Sequence, residues 1–353
     1  MPQIDPRLPA GLRRLAILAG LVGLVVGGMP AARASASPVP APRYGFAAPD
    51  AAALAGSHLY VANRAGNSVT EISTTTGRLV KVLRASSLRG PAALIVAGPG
   101  LWVADGAGGS VTELSLATGR VVRVVGGLSS PVALATDCEH ALFVLGRAGV
   151  VTKLSLATGK VLGRAAGHHF GFDRPTAVAW AAGHVYVADA GGDAVSIIDP
   201  NTMRLQALRR RGFGFADPTG LAVLGGHVWV TDTAGQSLTE LVAASGKFVR
   251  TVPDISGYLP TPGPVAAGDG DLYVASPPGG SPMITRVIPG RAVRLPWMMC
   301  NTNGPYTFSD PQALVVDGAH LWVVNEGGGA GAPVGNSVTE MDAMSGALVR
   351  VLR

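Results

Sequence analysis

Pro311-Gln-Ala-Leu-Val-Val-Asp-Gly-Ala-His-Leu-Trp-Val-Val-Asn325 can be laid over Pro218-Thr-Gly-Leu-Ala-Val-Leu-Gly-Gly-His-Val-Trp-Val-Thr-Asp232 without a gap, and both over Pro175-Thr-Ala-Val-Ala-Trp-Ala-Ala-Gly-His-Val-Tyr-Val-Ala-Asp189. The phrase recurs along the chain. Pro49, Pro91, Pro131, Pro175, Pro218, Pro262 and Pro311 each open a copy, 40 to 49 residues apart. Short strands repeated at that period predict propeller blades. The expected fold is all-β: a seven-bladed β-propeller of four-stranded blades, at about 49–90, 91–130, 131–174, 175–217, 218–261, 262–310 and 311–353.

Blade two shows the unit in full. Leu101-Trp102-Val103-Ala104-Asp105, Ser110-Val111-Thr112-Glu113-Leu114-Ser115-Leu116 and Arg120-Val121-Val122-Arg123-Val124-Val125 alternate apolar with polar residues, which predicts half-buried strands. Ala117-Thr118-Gly119 supplies the tight turn between the last two. That turn glycine returns as Gly77, Gly159, Gly246, Gly290 and Gly346, and only blade four replaces it, with Asn201-Thr202-Met203. Four strands, a to d, follow, with small residues such as Ala51–Ala53 and Ala177 in the crowded innermost strand a. Tyr60, Trp102, Phe143, Tyr186, Trp229, Tyr273 and Trp322 share one strand-b position, where a large ring packs between blades. The chain enters at strand a and leaves at strand d. The ring is therefore expected to close by packing, with residues just before Pro49 helping to pin the last blade to the first.

Leu59-Tyr60-Val61-Ala62-Asn63, Asn67-Ser68-Val69-Thr70-Glu71-Ile72 and Thr76-Gly77-Arg78-Leu79-Val80 resemble the YVTN-type repeat, and Pro175 to Asp189 is similar to the NHL repeat. The likeness spans residues 49–353 and implies an exported propeller of bacterial type. Relatives of this kind include surface-layer proteins, sensor domains of membrane-anchored kinases, streptogramin B lyase and gluconolactonase-like hydrolases. The resemblance implies a fold; chemistry has to come from the site.

Residues 1–48 lie outside the repeats. Arg13 and Arg14, an apolar run from Leu15 to Met29 and Ala32-Arg33-Ala34 have the order of a secretory signal peptide, assigned to 1–34. Residues 35–48, with Pro38, Pro40 and Pro42, read as a stiff Pro/Ala-rich linker. The apolar run is shorter than a comfortable membrane span of about 20 residues. A secreted or cell-envelope location follows, with no span in the mature domain. Loss of 1–34 removes four arginines and one aspartate, taking the formal charge from +6 to +3. With only 14 % charged residues, that balance excludes the electrostatic footprint of a nucleic-acid binder. Cys138 and Cys300 fall in blades three and six, too far apart for a bridge.

His58, His184, His227 and His320 are one residue of the a-to-b turn copied around the ring, which reads as structure. Asn63, Asp105, Asp189, Asp232 and Asn325 share the end of strand b. Side chains of this kind cap local backbone. Their alternative role is to hold one divalent cation in the central channel with oxygen ligands. Tyr44-Gly45-Phe46, Phe170-Gly171-Phe172, Phe213-Gly214-Phe215 and Tyr306-Thr307-Phe308 place aromatic pairs in d-to-a connections. Covered loop aromatics pack between blades or meet a partner. The binding-surface candidates are Phe170, Phe172, Phe213, Phe215, Tyr306, Phe308 and Trp297. Arg209–Arg211 with His168 and His169 offer a basic patch. The leading function is a non-catalytic binding or interaction scaffold, expected to be monomeric and to need no cofactor, presenting one face to a protein, peptide or glycan at the cell envelope. The alternative is a metal-dependent lactone hydrolase or lyase at the central channel.

Overall fold

In a computed structural model of the chain, every repeat-opening proline but one begins a strand. The structure describes residues 44–254, 257–276, 282–290, 294–300, 308, 310–327 and 336–353. The expected signal segment and the linker up to residue 43 lie outside them. Blade one runs Pro49–Ala55, His58–Asn63, Ser68–Ser73 and Leu79–Arg84 as strands a to d. Six more four-stranded antiparallel sheets repeat that order, and no sheet borrows a strand from another. The result is a seven-bladed β-propeller. The described residues add only two short 3₁₀ turns, His168–Phe170 and Arg211–Phe213, and no helix among them is long and apolar enough to cross a membrane.

Proline suits the first position of strand a because it has no N–H to donate to the ladder. Pro49 faces Asn63, and a register shift follows before Ala51 meets Ala62. Blade six departs from the expected start at Pro262: its strand a is Val265–Gly268, three residues later and four long. The cause is Pro262-Gly263-Pro264, in which two of three residues lack a donor. Gly263 and Ala275 restore the pairing outside the strand, with Gly263 N–H on the Ala275 carbonyl and Ala275 N–H on that of Pro264.

The core is not central but divided into seven apolar clusters, one at each inter-blade interface. Trp102, Trp229, Trp322, Tyr186, Tyr273 and Phe143 of strand b are among the largest fully buried side chains. Beside every ring but Tyr186, which faces Ile197, cross-strand register places a charged side chain. Trp229 faces Glu240, which faces Arg250, and Trp322, Glu340 and Arg350 repeat the order in blade seven. Arg250 Nε meets Glu240 at 2.6 Å and its guanidinium lies 5.7 Å from the Trp229 ring. Lys81 with Glu71 and Arg123 with Glu113 are the same pair in blades one and two.

These cations, and in blade four Arg209 two residues further along strand d, also reach the next blade. Arg123 donates to the Ala157 carbonyl, Lys153 to Pro200, Arg209 to Gly246, Arg286 to Met344 and Arg350 to Thr74. All the acceptors lie in c-to-d turns. Blade six reverses the charges, with Arg286 on strand c and Asp271 at the start of strand b, bonded at 2.7 Å. The exception in blade four now has a physical reason. Its turn residue Met203 is buried, and the strand-d position facing it in blade three, a cation in blades one, two, five and seven, is Gly163. A Cβ at Gly163 would lie 2.8 Å from Met203 Cγ, so methionine fills the space that the missing cation leaves.

Closure uses the same parts. Tyr44 is buried with Trp322, Val324, Val338 and Leu352 of blade seven and Leu59, Val61 and Ile72 of blade one. Its hydroxyl donates to the Gly77 carbonyl at 2.7 Å, and its carbonyl accepts from Thr70 Oγ1 at 2.9 Å.

Candidate functional site

Innermost strands of a propeller stand closest together, so small side chains there leave an axial space. Ala51, Ala93, Ala133, Ala177, Leu221, Val265 and Ala313, from all seven blades, wall a cavity of about 550 Å³. Among the described residues its walls carry no charged side chain, and their polar groups are Thr219, Thr233 and Gln312. Thr219 and Thr233 meet at 2.8 Å, and Thr233 donates to the Pro262 carbonyl at 2.7 Å.

Charge begins at the rim where strands a start. Arg64, one residue past strand b of blade one, meets Asp50 at 3.3 Å and Glu326 of blade seven at 2.9 Å. Burial pushes the Asp50 carboxyl up to about 6, against the pull of Arg64, with Glu326 raising it further and Arg147 opposing. Burial raises Asp310 too, and Glu326 adds to it. Two carboxyls held above their ordinary range beside one shared guanidinium mark the blade seven to blade one rim as a place where burial outweighs the pull of Arg64. Backbone here is also constrained: Ala48, Ser130, Asp217 and Asp310, each just before a blade-opening proline, have φ of 46° to 59°.

The five Asn and Asp at the strand-b ends are fully buried and engaged with their own blades and the connections that lead into them. Asp189 accepts from the amides of Asp173 and Arg174 at 2.8 and 2.7 Å, and Asp105 from that of Arg89 at 3.2 Å. Strand-c hydroxyls supply the rest, Thr112 to Asp105 and Thr239 to Asp232, while Asn63 and Asn325 donate to Thr70 and Thr339. These side chains fasten each d-to-a connection to its blade and are not drawn together at the channel. Blade three dispenses with the cap because the Ser129 carbonyl fills its place, 2.5 Å from where a Cβ of Gly146 would sit. Desolvation raises Asp105 to about 6 and Asp232 to about 7. Among the described residues no group of three or more His, Cys, Asp or Glu is placed to hold a metal ion.

The expected aromatic face is a seam. Phe170, Phe215 and Phe308 are buried, and Phe172 and Phe213 are half-buried against the same inter-blade clusters. Phe170 stacks on Phe172 at 5.4 Å and Phe213 on Phe215 at 6.0 Å, as Tyr44 does on Phe46. Each pair wedges between neighbouring blades, which covers Phe170 and Phe215 and leaves Phe172 and Phe213 partly exposed. Trp297 lies in strand d of blade six opposite Arg286, and Tyr306 falls outside the described residues. Arg209 of the basic run is committed to blade five, bonded to Gly246 and placed over Phe213. Three turn histidines pair with strand-c glutamates, His58 with Glu71, His227 with Glu240 and His320 with Glu340.

Asp50, Arg64, Arg147 and Glu326 were not singled out in the sequence. Their signal is variation inside a repeat: one residue past strand b stand Arg64, Gly106, Arg147, Ala190, Thr233 and Glu326, at a register whose neighbours hardly change.

The sequence matches no protein-family model and no curated protein. Among solved structures, the fold is similar to virginiamycin B lyase from Staphylococcus aureus, with a TM-score of 0.65 and 12 % identity over 78 % of this chain and 91 % of that one. It is also similar to the WD40 repeats of RRP9, at 0.69 and 13 % over 84 % and 94 %. Hydrazine synthase from Kuenenia stuttgartiensis gives 0.68 and 15 % over 85 % and 96 %. At these identities the likeness shows the β-propeller and nothing finer.

Proposed function

We propose that this chain is an exported, non-catalytic binding scaffold of NHL or YVTN repeat type that engages a peptide or protein partner across the face where strands a begin. The observation that carries the reading is the axial cavity: apolar walls from all seven blades, with hydroxyl, amide and charged groups gathered at its rim. An apolar pocket with a few convergent polar groups is the usual form of a binding site. The cavity suits a protruding apolar side chain, and Thr219, Thr233 and Gln312 can bond the backbone on either side of it. Sugar rings favour exposed aromatic platforms; the described connection aromatics are packed in seams, which favours a peptide over a glycan. Export rests on the order of Arg13-Arg14, the apolar run to Met29 and Ala32-Arg33-Ala34.

The test is a panel of synthetic peptides, each made as free acid and as C-terminal amide, applied to the purified protein and to Ala177→Trp, which fills the cavity from one wall. Retained peptides should be lost in the variant while its unfolding midpoint stays in place. No retained peptide, or retention indifferent to Ala177→Trp, overturns the reading.

A further inference from the structure

Blade two leaves a gap in the rim. Gly106 and Ala107 stand there between Arg64 of blade one and Arg147 of blade three, and with Gly90 and Ala92 they leave a notch of about 260 Å³. Both arginines and Asp50 line it. They are not equivalent. Arg64 is spent on Asp50 and Glu326. The Arg147 guanidinium is exposed and makes no ion pair or hydrogen bond among the described residues, although its charge is felt by Asp50. Asp50 gives Oδ2 to Arg64, which leaves Oδ1 as an acceptor.

The notch thus presents an unpaired fork of N–H donors on one wall, a carboxylate acceptor on another, and between them Gly, Ala and Val132 with no longer side chain. Its complement is a carboxylate with an N–H donor a few bonds away and a small apolar group between. The last residue of a polypeptide has that constitution. Guanidinium forks bind carboxylates with two parallel bonds, and capture of a C-terminal carboxylate is a recurrent mode of peptide recognition.

We infer that this notch binds the free C-terminus of a partner chain ending in a small residue. The terminal carboxylate pairs with Arg147, the last amide N–H donates to Asp50, and the side chain rests on Ala92 and Val132. This rests on the peptide-binding reading above and names the part of the partner that the rim grips. An internal aspartate of a partner would bring the carboxylate without an amide at the same spacing.

The experiment is an NMR titration of the ¹⁵N-labelled protein with N-acetyl-Ala-Ala as free acid, the same dipeptide as its amide, and N-acetyl-Asp-amide. The free acid should move the amide signals of Gly90, Gly106 and Ser130 saturably, and the other two should not. Affinity should fall at least tenfold in Arg147→Gln, an exposed change that spares the fold, and in Ala107→Leu, which fills the notch. No response to the free acid, an equal response to either other probe, or an unchanged Kd in Arg147→Gln overturns the inference. In the peptide panel, equal retention of free-acid and amidated forms also overturns it while leaving the scaffold reading intact; a panel with no retained peptide overturns that reading instead.

Discussion

Arg350 in the last strand donates through Nη2 to the Thr74 carbonyl at 3.3 Å, across 276 residues of sequence. The same guanidinium pairs through Nε with Glu340, a carboxylate shut off from solvent. Arg123, Arg250 and Arg286 make the equivalent reach onto the blade that follows each of them. The bond that closes the ring is therefore the bond that builds it.

Arg350→Met should cost about 3 kcal/mol of unfolding free energy, because breaking a buried pair strands the other charge. Adding Glu340→Gln should recover more than half of the loss by removing the stranded carboxylate. Urea unfolding at neutral pH reads both. A double variant no better than the single one would mean that the bond to Thr74, not the buried charge, dominates the loss.

Gly77 lies beneath that arginine with φ of 67°, and a Cβ there would come within 2.1 Å of Arg350 Nη1. Gly56 has a similar φ of 55° with nothing within 4 Å of a Cβ. Gly56→Ala should cost only the left-handed strain, about 1 kcal/mol. Gly77→Ala should cost at least twice that, since Arg350 must withdraw from Thr74. Equal losses in the two variants would show that the turn glycine is kept for its backbone angle alone.

The architecture was legible because its determinants repeat. A proline without a donor at strand a, a large ring on strand b and a glycine in the c-to-d turn recur for packing, so each copy supports the others. The rim was hidden for the converse reason: Asp50 and Glu326 each occur once at their registers, and Arg147 shares its register only with Arg64, the other blades filling it differently. Phe170 and Phe215 were open to two readings because a ring in a connecting loop looks displayed until the next blade is in place. Even the exception at Met203 belongs to packing, since its partner, Gly163, lies 40 residues upstream in another repeat.

Stability should rise on acidification from neutral pH, and Asp232 is the strongest single reason. Burial lifts its carboxyl from 3.8 to about 7. The unfolded chain gives up this proton near pH 4 and the folded chain keeps it to about pH 7, so stability is lost as pH rises through that window. Asp232→Asn should stabilise the protein at pH 7.5 by about 2 kcal/mol, under the ceiling of about 4 kcal/mol that 1.36 kcal/mol per pH unit sets over this window, and flatten the profile between pH 4 and 7. Asparagine is already in use at this place, as Asn63 bonded to Thr70 and Asn325 bonded to Thr339. A loss of stability in the variant would show that the carboxylate form is the one the cap requires.

The seam reading of the aromatic pairs makes a separate claim about Phe170. Its ring is buried in the cluster shared by blades three and four, so Phe170→Ala should cost about 3–5 kcal/mol. Peptide retention per folded molecule should be unchanged. A stable variant with impaired binding would return these rings to a partner surface.

Tyr44 tests closure from the other end. The residues before strand a carry no ladder of their own, yet Tyr44 is as buried as a core side chain and touches both terminal blades. Tyr44→Phe removes only the hydroxyl donated to Gly77 and should cost about 1 kcal/mol. Tyr44→Ala also opens the cluster around Trp322 and Leu352 and should cost about 3–5 kcal/mol. Hydrogen exchange locates the damage: amides of Ser337–Asp342 and Leu348–Leu352 in blade seven and of Leu79–Arg84 in blade one should lose protection before those of blades three and four. Uniform loss around the ring would mean that the seven interfaces open together, and that the segment at Tyr44 adds stability without governing where the propeller first comes apart.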